Sequence, residues 1–122
     1  MDLNELTDAV FACAEANDWG GFRAAFADEA VLAQNVGIEQ PIDAALETLP
    51  LLTADGTTLK YENVRRVLGD NAVTEMHDAV FTKTDGREVR LDICVVLQFD
   101  DTGKITRADE YLDSAAATAL FG

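Results

Sequence analysis

The stretch from Arg87 to Asp113, REVRLDICVVLQFDDTGKITRADEYLD, leaves a chain like this few folds to choose from. Leu91, Ile93, Val95, Leu97 and Phe99 alternate onto one face, and Cys94 and Val96 keep the other partly apolar. That is the pattern of a strand covered on both sides and central in its sheet. Asp100-Asp101-Thr102-Gly103 supplies a turn in which Gly103 is free to take a positive φ, and Lys104 to Leu112 returns alongside. Site chemistry is therefore expected on the buried face of this sheet.

The preceding segments read as helices first and strands afterwards. Leu3, Leu6, Val10 and Ala14 recur at helical spacing behind a cap at Asp2 or Asn4, and Asn17-Asp18 interrupts them. Asp18 caps a shorter second helix bearing Trp19, Phe22 and Phe26, and Ala30 to Gln34 reads as a short strand. Pro41 opens a third helix through Ile42, Ala45, Leu46 and Leu49, ended near Pro50. Strands over 59–68 and 72–83 follow, separated by Gly69-Asp70-Asn71, and Asp113 caps a final helix over 114–120. Asp85-Gly86 is a two-residue hairpin signal, and a turn centred there pairs Asp78 with Ile93 and His77 with Cys94. The expectation is one α+β domain over residues 1–122, its helices covering one face of a curved, mostly antiparallel sheet.

Charge and size exclude several function classes. With 122 residues and 48% hydrophobic content the chain suits one compact core. Twenty-three acids against 9 bases give a net charge of −14, a field that repels phosphates, so nucleic acid, nucleotides and anionic membranes are poor partners. No apolar run approaches the roughly 20 residues that span a bilayer, and the acidic opening MDLNELTDAV is unlike a secretory leader, which points to a cytoplasmic location. Cys13 and Cys94 read as free thiols, and with one histidine they make no transition-metal site. No phosphate-binding glycine motif is present and no cofactor is called for.

The order of elements, with DWGGFRAAFADEAVL early and FDDTGKITRADEYLDSA at the close, resembles the nuclear transport factor 2-like superfamily. Within it the chain is most similar to the bacterial branch of ketosteroid isomerases, SnoaL-like polyketide cyclases and limonene-epoxide-hydrolase-like enzymes. The resemblance implies a conical α+β fold with a pocket between helices and sheet, and a small apolar molecule as ligand. The isomerase acids do not carry over: the general-base position matches Gln34, the oxyanion tyrosine Val10 and the protonated aspartate Val95. The epoxide-hydrolase carboxylates match Asp78 and Glu110, but the arginine between them matches Met76. Arg65 or Arg66 on the preceding strand is the candidate replacement cation.

Asp78 and Glu110 are thus the candidate catalytic pair. In the hairpin register above both oppose Ile93, one row across three strands with backbones about 9 to 10 Å apart. A bulge or shifted turn would instead send either to solvent. Met76, Arg66, Trp19, Ile93, Val95 and Leu112 are the candidate substrate-binding residues, although Trp19, Phe22 and Phe26 also suit plain core packing. A dyad of His77 and Cys94 is opposed by its parity, which places both on the outer face with Ala79, Phe81 and Val96. That half-apolar face suits a homodimer. Two readings stand: a cofactor-independent enzyme using carboxylate acid–base chemistry for epoxide hydrolysis, isomerisation or cyclisation, and a non-catalytic dimeric binding or structural domain.

Overall fold

A computed structural model describes residues 1–35 and 38–120. Helices α1 (Leu3–Glu15) and α2 (Trp19–Ala24) come first, with Asp2 and Asp18 as their caps, accepting from the amides of Glu5 and Gly21. Then follow β1 (Phe26–Gln34), β2 (Ile38–Pro41), α3 (Ile42–Ala45) and a 3-10 turn (Leu49–Leu52). Four long strands complete the sheet: β3 (Thr58–Leu68), β4 (Ala72–Thr82), β5 (Glu88–Phe99) and β6 (Ile105–Leu112). A short α4 (Ser114–Ala117), capped by Asp113, runs into a 3-10 turn (Thr118–Leu120).

The six strands form one sheet in the order β2-β1-β6-β5-β4-β3. Only β1 and β6 run parallel. The helices pack on its inner face, the expected α+β architecture, and β5 lies inside the sheet as its apolar pattern required. Among the described residues no helix is long and apolar enough to cross a membrane.

Two expectations about local structure are corrected. The third helix is a single turn: Pro41 caps it rather than entering it, it ends at Ala45, and the chain re-enters helical backbone only in the separate 3-10 turn that carries Pro50. The Thr48 amide and hydroxyl both donate to the carbonyl of Ala45, at 3.1 and 3.2 Å. Ile42 and Ala45 still reach the core, both fully buried.

The second correction decides where the site lies. The β4–β5 loop has three residues, Thr84-Asp85-Gly86, closed by Lys83 N–H to Arg87 O at 2.7 Å and Gly86 N–H to Lys83 O at 2.9 Å. Gly86 takes φ +90°, the left-handed residue that ends a type I turn in such hairpins. Adding one residue to the loop slips β4 by one, so His77 opposes Ile93 and Asp78 opposes Asp92. Because side chains alternate, the whole strand turns over relative to expectation. Glu75, His77, Ala79 and Phe81 face inward and are buried, and Met76 and Asp78 face outward.

Two bulges adjust the neighbouring strands. In β3, Asn63 and Val64 together oppose His77, with Asn63 at φ +55°, so Tyr61 and Arg66 both face inward although their spacing is odd. In β6 the extra residue is Thr106, after which Ala108, Glu110 and Leu112 face inward opposite Leu97, Val95 and Ile93.

Since nothing lies within 4 Å of where a Gly86 side chain would begin, its cost is purely conformational. Gly86→Ala should destabilise the protein by about 1–2 kcal/mol in urea denaturation, and Gly86→Asn by less, because asparagine tolerates left-handed backbone. Equal losses would show that something other than backbone handedness holds the loop.

Candidate functional site

The inner face of the sheet is divided by a polar row. Strand pairing aligns Gln34, Glu110, Val95, Glu75 and Arg66 on β1, β6, β5, β4 and β3. On one side lies an apolar core under α1 and α3 that includes Val10, Phe26, Ile42, Leu97 and Ile105. On the other, Leu59, Ala79, Phe81, Leu91 and Ile93 wall a cavity of about 560 Å³. The 3-10 turn after α3 contributes Leu49, Leu51 and Leu52, and the C-terminal segment contributes Ser114, Ala117 and Thr118. The size and apolar walls suit a small organic ligand.

Polar groups concentrate at one place in this cavity. Glu110 lines it beside Gln34, whose amide donates to the Glu110 carboxylate at 2.8 Å. Burial raises the Glu110 pKa, partly offset by the Gln34 hydrogen bond and the nearby His77. The strand segment carrying Glu110 is pinned by Asn35. Its side chain accepts from Leu112 N–H and donates to Leu112 O, each at 3.0 Å, and its own N–H bonds Glu110 O at 3.1 Å. Tyr61 also lines the cavity. Burial, then the charges of Glu110, Glu15 and Glu75, push its phenol well above the usual value, which keeps it a hydrogen-bond donor.

Behind Tyr61 and Glu110 lies a second polar group. The His77 ring forms a triangle with Tyr61 and Phe11, its centroid 4.5 and 5.0 Å from theirs and theirs 5.0 Å apart, and its Nδ1 bonds Glu75 at 2.5 Å. The other oxygen of Glu75 accepts from Arg66 Nε at 2.6 Å, and Arg66 continues to Asp8 at 2.7 Å. Glu75 and His77 are both buried, so this charge is carried inward only because each member has a partner.

The structure separates the two carboxylates that the sequence register had placed in one row. Glu110 faces the cavity. Asp78 lies on the opposite face of the sheet, bonded to Asn63 at 2.8 Å and Arg90 at 2.9 Å, and its pKa is lowered by Asn63, Asp92 and Arg90. Met76 lies on that outer face too, opposite Cys94 and Arg65, for the same one-residue slip. His77 and Cys94 therefore sit on opposite faces and form no dyad. Of Arg65 and Arg66, the β3 bulge turns Arg66 inward, but it is engaged with Glu75 and Asp8 away from the cavity. Ile93 and Leu112 line the cavity. Val95 is buried between Glu110 and Glu75, and Trp19 packs on Phe22 at 5.2 Å; neither lines it. Among the described residues no group of three or more His, Cys, Asp or Glu side chains is arranged to hold a metal.

With this geometry in hand, comparison with known proteins is informative. The SnoaL-like domain profile matches residues 7–108, most of the chain. The chain belongs to the SnoaL-like family. No curated protein matches it by sequence. A putative polyketide cyclase from Xanthomonas campestris pv. campestris superimposes on this SnoaL-like domain with TM-score 0.80 at 18% identity, covering 98% of this chain and 96% of the other. An M. tuberculosis LEH-like epoxide hydrolase gives 0.76 at 18% identity, over 95% and 86%. IdmH, a putative polyketide cyclase from Streptomyces antibioticus, gives 0.80 at 15% identity, over 100% and 99%. At such identities the likeness establishes the nuclear transport factor 2-like fold, and chemistry has to be argued from this SnoaL-like domain's own residues.

Sequence reasoning offered Tyr61 and Tyr111 alike as hydrogen-bond donors to a ligand, of which Tyr61 alone lines the cavity; it missed Glu75 as a site group and placed His77 outside. The available signal was the alternation Val73, Glu75, His77, Ala79, Phe81, which is more apolar at both ends than Ala72, Thr74, Met76, Asp78, Val80.

The raised Glu110 pKa makes a signed prediction. An acid whose folded pKa exceeds its unfolded value stabilises the fold fully below the unfolded value, about 4.3, and loses that contribution as pH rises through the folded one. Glu110→Gln, which keeps an acceptor for Gln34, should therefore be more stable than wild type at pH 8. The difference should shrink toward zero below about pH 4 in parallel urea titrations. A pH-independent difference would show that burial does not penalise this carboxylate.

Proposed function

We propose that the chain is a cofactor-independent SnoaL-like enzyme of one domain that transfers a proton on a small, uncharged, oxygen-bearing apolar substrate. Glu110 is the proton-transferring group. The observation that carries this reading is a single buried carboxyl with a raised pKa, opening on an apolar cavity beside a phenol that makes no hydrogen bond of its own among the described residues. Buried carboxyls of this kind suit acid–base work near neutral pH. The proton of a carbon next to a carbonyl passes to Glu110, and the Tyr61 hydroxyl donates to the oxygen on which negative charge develops. Returning the proton at another carbon completes an isomerisation; attack of the enolate carbon on a second carbonyl, whose oxygen takes the proton back from Glu110, completes an aldol-type cyclisation.

Epoxide hydrolysis by two carboxylates sharing a water is the weaker form of the proposal, because Asp78 lies across the sheet and Glu75 is engaged by Arg66 and His77. Substrate charge is limited as well. None of the cavity-lining residues is Lys, Arg or His, and the −14 field disfavours an anionic ligand.

The test is turnover of enone, polyketide-like and epoxide substrates after a thermal-shift screen for binding. Glu110→Gln should lower kcat by about 10²- to 10⁴-fold. Tyr61→Phe should lower kcat more than it raises KM. A ligand bound equally by wild type and Glu110→Gln, with no turnover by either, would identify a binding domain and overturn the enzymatic reading.

The outer face of the sheet supports a homodimer in this proposal. Val67 and Tyr111 are exposed there, with Met76, Cys94 and Val96 half-buried. Two like-charged copies repel, so added salt should strengthen the dimer in light scattering, and Val67→Lys should weaken it. A monomer at micromolar concentration in both low and high salt would remove the dimer.

A further inference from the structure

Two consecutive residues at the end of β1 bond the strand of Glu110 more fully than sheet pairing requires. Gln34 and Glu110 are the last partners of the parallel β1–β6 pair, and both line the cavity. Beyond them Asn35 takes over. Its N–H bonds the Glu110 carbonyl at 3.1 Å, and its side chain accepts from the Leu112 amide and donates to the Leu112 carbonyl, each at 3.0 Å. A side-chain amide thus stands in for the next backbone unit of β1, and the backbone at this strand end is satisfied without help from Gln34. The Gln34 side chain is in excess of that need. Its one hydrogen bond among the described residues goes to Oε1 of Glu110, at 2.8 Å.

That bond makes the two oxygens of Glu110 unequal. Oε1 accepts from Gln34, whereas Oε2 makes no hydrogen bond among the described residues. The one described side-chain oxygen enclosed without a partner is Thr57 Oγ1, so Oε2 of Glu110 keeps an open surface in the cavity wall. An ionised carboxylate only accepts, so the group Gln34 turns to it is the NH2, and the bond strengthens with the charge. It therefore opposes the burial that raises the Glu110 pKa. The other titratable groups around Glu110 are Tyr61 in the same cavity and, beyond the uncharged Val95, Glu75 and His77 of β4. None of them is hydrogen-bonded to it, and the cavity-lining residues of the 3-10 turn and the C-terminal segment carry no charge. Gln34 alone fixes the plane of the carboxyl before a substrate arrives.

We propose that Gln34 is a positioning residue that reserves Oε1 of Glu110, so that Oε2 is the oxygen that takes and returns the substrate proton, while Asn35 fixes the strand beneath it. The proposal rests on Glu110 being the proton-transferring group. In the forward step the substrate C–H bond breaks and an O–H bond forms at Oε2, and the C–H electron pair passes to the carbonyl oxygen held by Tyr61. Oε1 becomes the carbonyl oxygen of a neutral acid and still accepts from Gln34, more weakly than before. The amide therefore keeps one orientation through both halves of turnover. When Oε2 gives the proton back, the charge-assisted bond is restored. Gln34 thus favours the ionised base between turnovers without competing for the proton.

The experiment compares Gln34→Leu with Asn35→Ala, using a readout that needs no substrate: NMR titration of the Glu110 carboxyl in the full chain carrying labelled glutamate. Glu110→Gln identifies the signal by its disappearance. Gln34→Leu removes a donor to the charged form, so the Glu110 midpoint should move upward, and the acid limb of the kcat/KM profile should move with it. On the plateau kcat should fall by about 10- to 10²-fold with KM little changed. Asn35 touches only backbone groups, so Asn35→Ala should lower kcat while leaving the midpoint in place. Should Gln34→Leu fail to fold, Gln34→Met, equally long and without a donor, takes its place. A midpoint unmoved by loss of the Gln34 amide, or moved as far by Asn35→Ala, would overturn the proposal. Full turnover by Glu110→Gln would overturn the enzymatic reading and this role with it. Turnover lost in Glu110→Gln beside an unmoved midpoint in Gln34→Leu would remove the role of Gln34 alone.

Discussion

The pairing register of β4 against β5 is the constraint on which the chemistry of this protein depends. Alternation gives each strand two faces and no intermediate choice, so the three-residue loop Thr84-Asp85-Gly86 selects one of two complete sets of side chains for the interior. One set brings in Met76 and Asp78. The set adopted brings in Glu75 and His77, with Ala79 and Phe81 completing the apolar end. The choice is reinforced across β3, where the Asn63–Val64 bulge lets Tyr61 and Arg66 both meet this inner set. Arg66 then satisfies Glu75, and Asp78 is satisfied on the outside by Asn63 and Arg90. Each charged group of β4 thus finds partners in one register, and the opposite register would leave Glu75 and Arg66 to solvent and bury Asp78 without its arginine.

Why a polar row crosses an apolar interior follows from the two volumes it separates. The core under α1 and α3 is filled by side chains to the point that Ile42, Val73 and Ile105 are fully enclosed. The opposite end leaves a cavity. The row lies between the two volumes, where carboxyl and amide groups still reach one another but water access is reduced. Val95 occupies its centre and keeps Glu110 apart from Glu75. A carboxylate there would face two others across neighbouring strands. The apolar residue lets Glu110 and Glu75 differ, the first opening on the cavity, the second committed to Arg66 and His77.

Much of the architecture was legible in the sequence because it depends on local pattern. Alternation in β5, the Asp2 and Asp18 caps and the Gly103 turn each act within a few residues, and the strand of Glu110 faces inward by a parity that survives the Thr106 bulge. What was not legible depends on distinctions of one residue. Asp85-Gly86 is compatible with two- and three-residue loops, and the difference lies in which of them meets the strand twist. Strand β2 is too short to show a pattern, and the third helix stops at Ala45 although its apolar spacing runs on to Leu49. The candidate site inherited these errors in proportion: Glu110, Ile93 and Leu112 sit on strands whose faces are set locally, and Asp78 and Met76 sit on the strand whose face is set by the loop.

This bears on how a family's functional positions transfer at low identity. Matching by position assigned the epoxide-hydrolase cation to Met76 and one of its acids to Asp78, and both lie outside. Matching by face assigns the same two inward places on β4 to Glu75 and His77, which also sit two residues apart and also combine a carboxyl with a group able to carry positive charge. The order of the two types is reversed, and a guanidinium has become an imidazole. A planar guanidinium has been exchanged for an imidazole whose Nδ1 is already committed to Glu75. With that imidazole committed to Glu75 and Glu75 to Arg66, the described cavity lining offers Glu110 neither a cation nor a second carboxylate, which is the physical reason the proposed function weights isomerisation and cyclisation above epoxide opening.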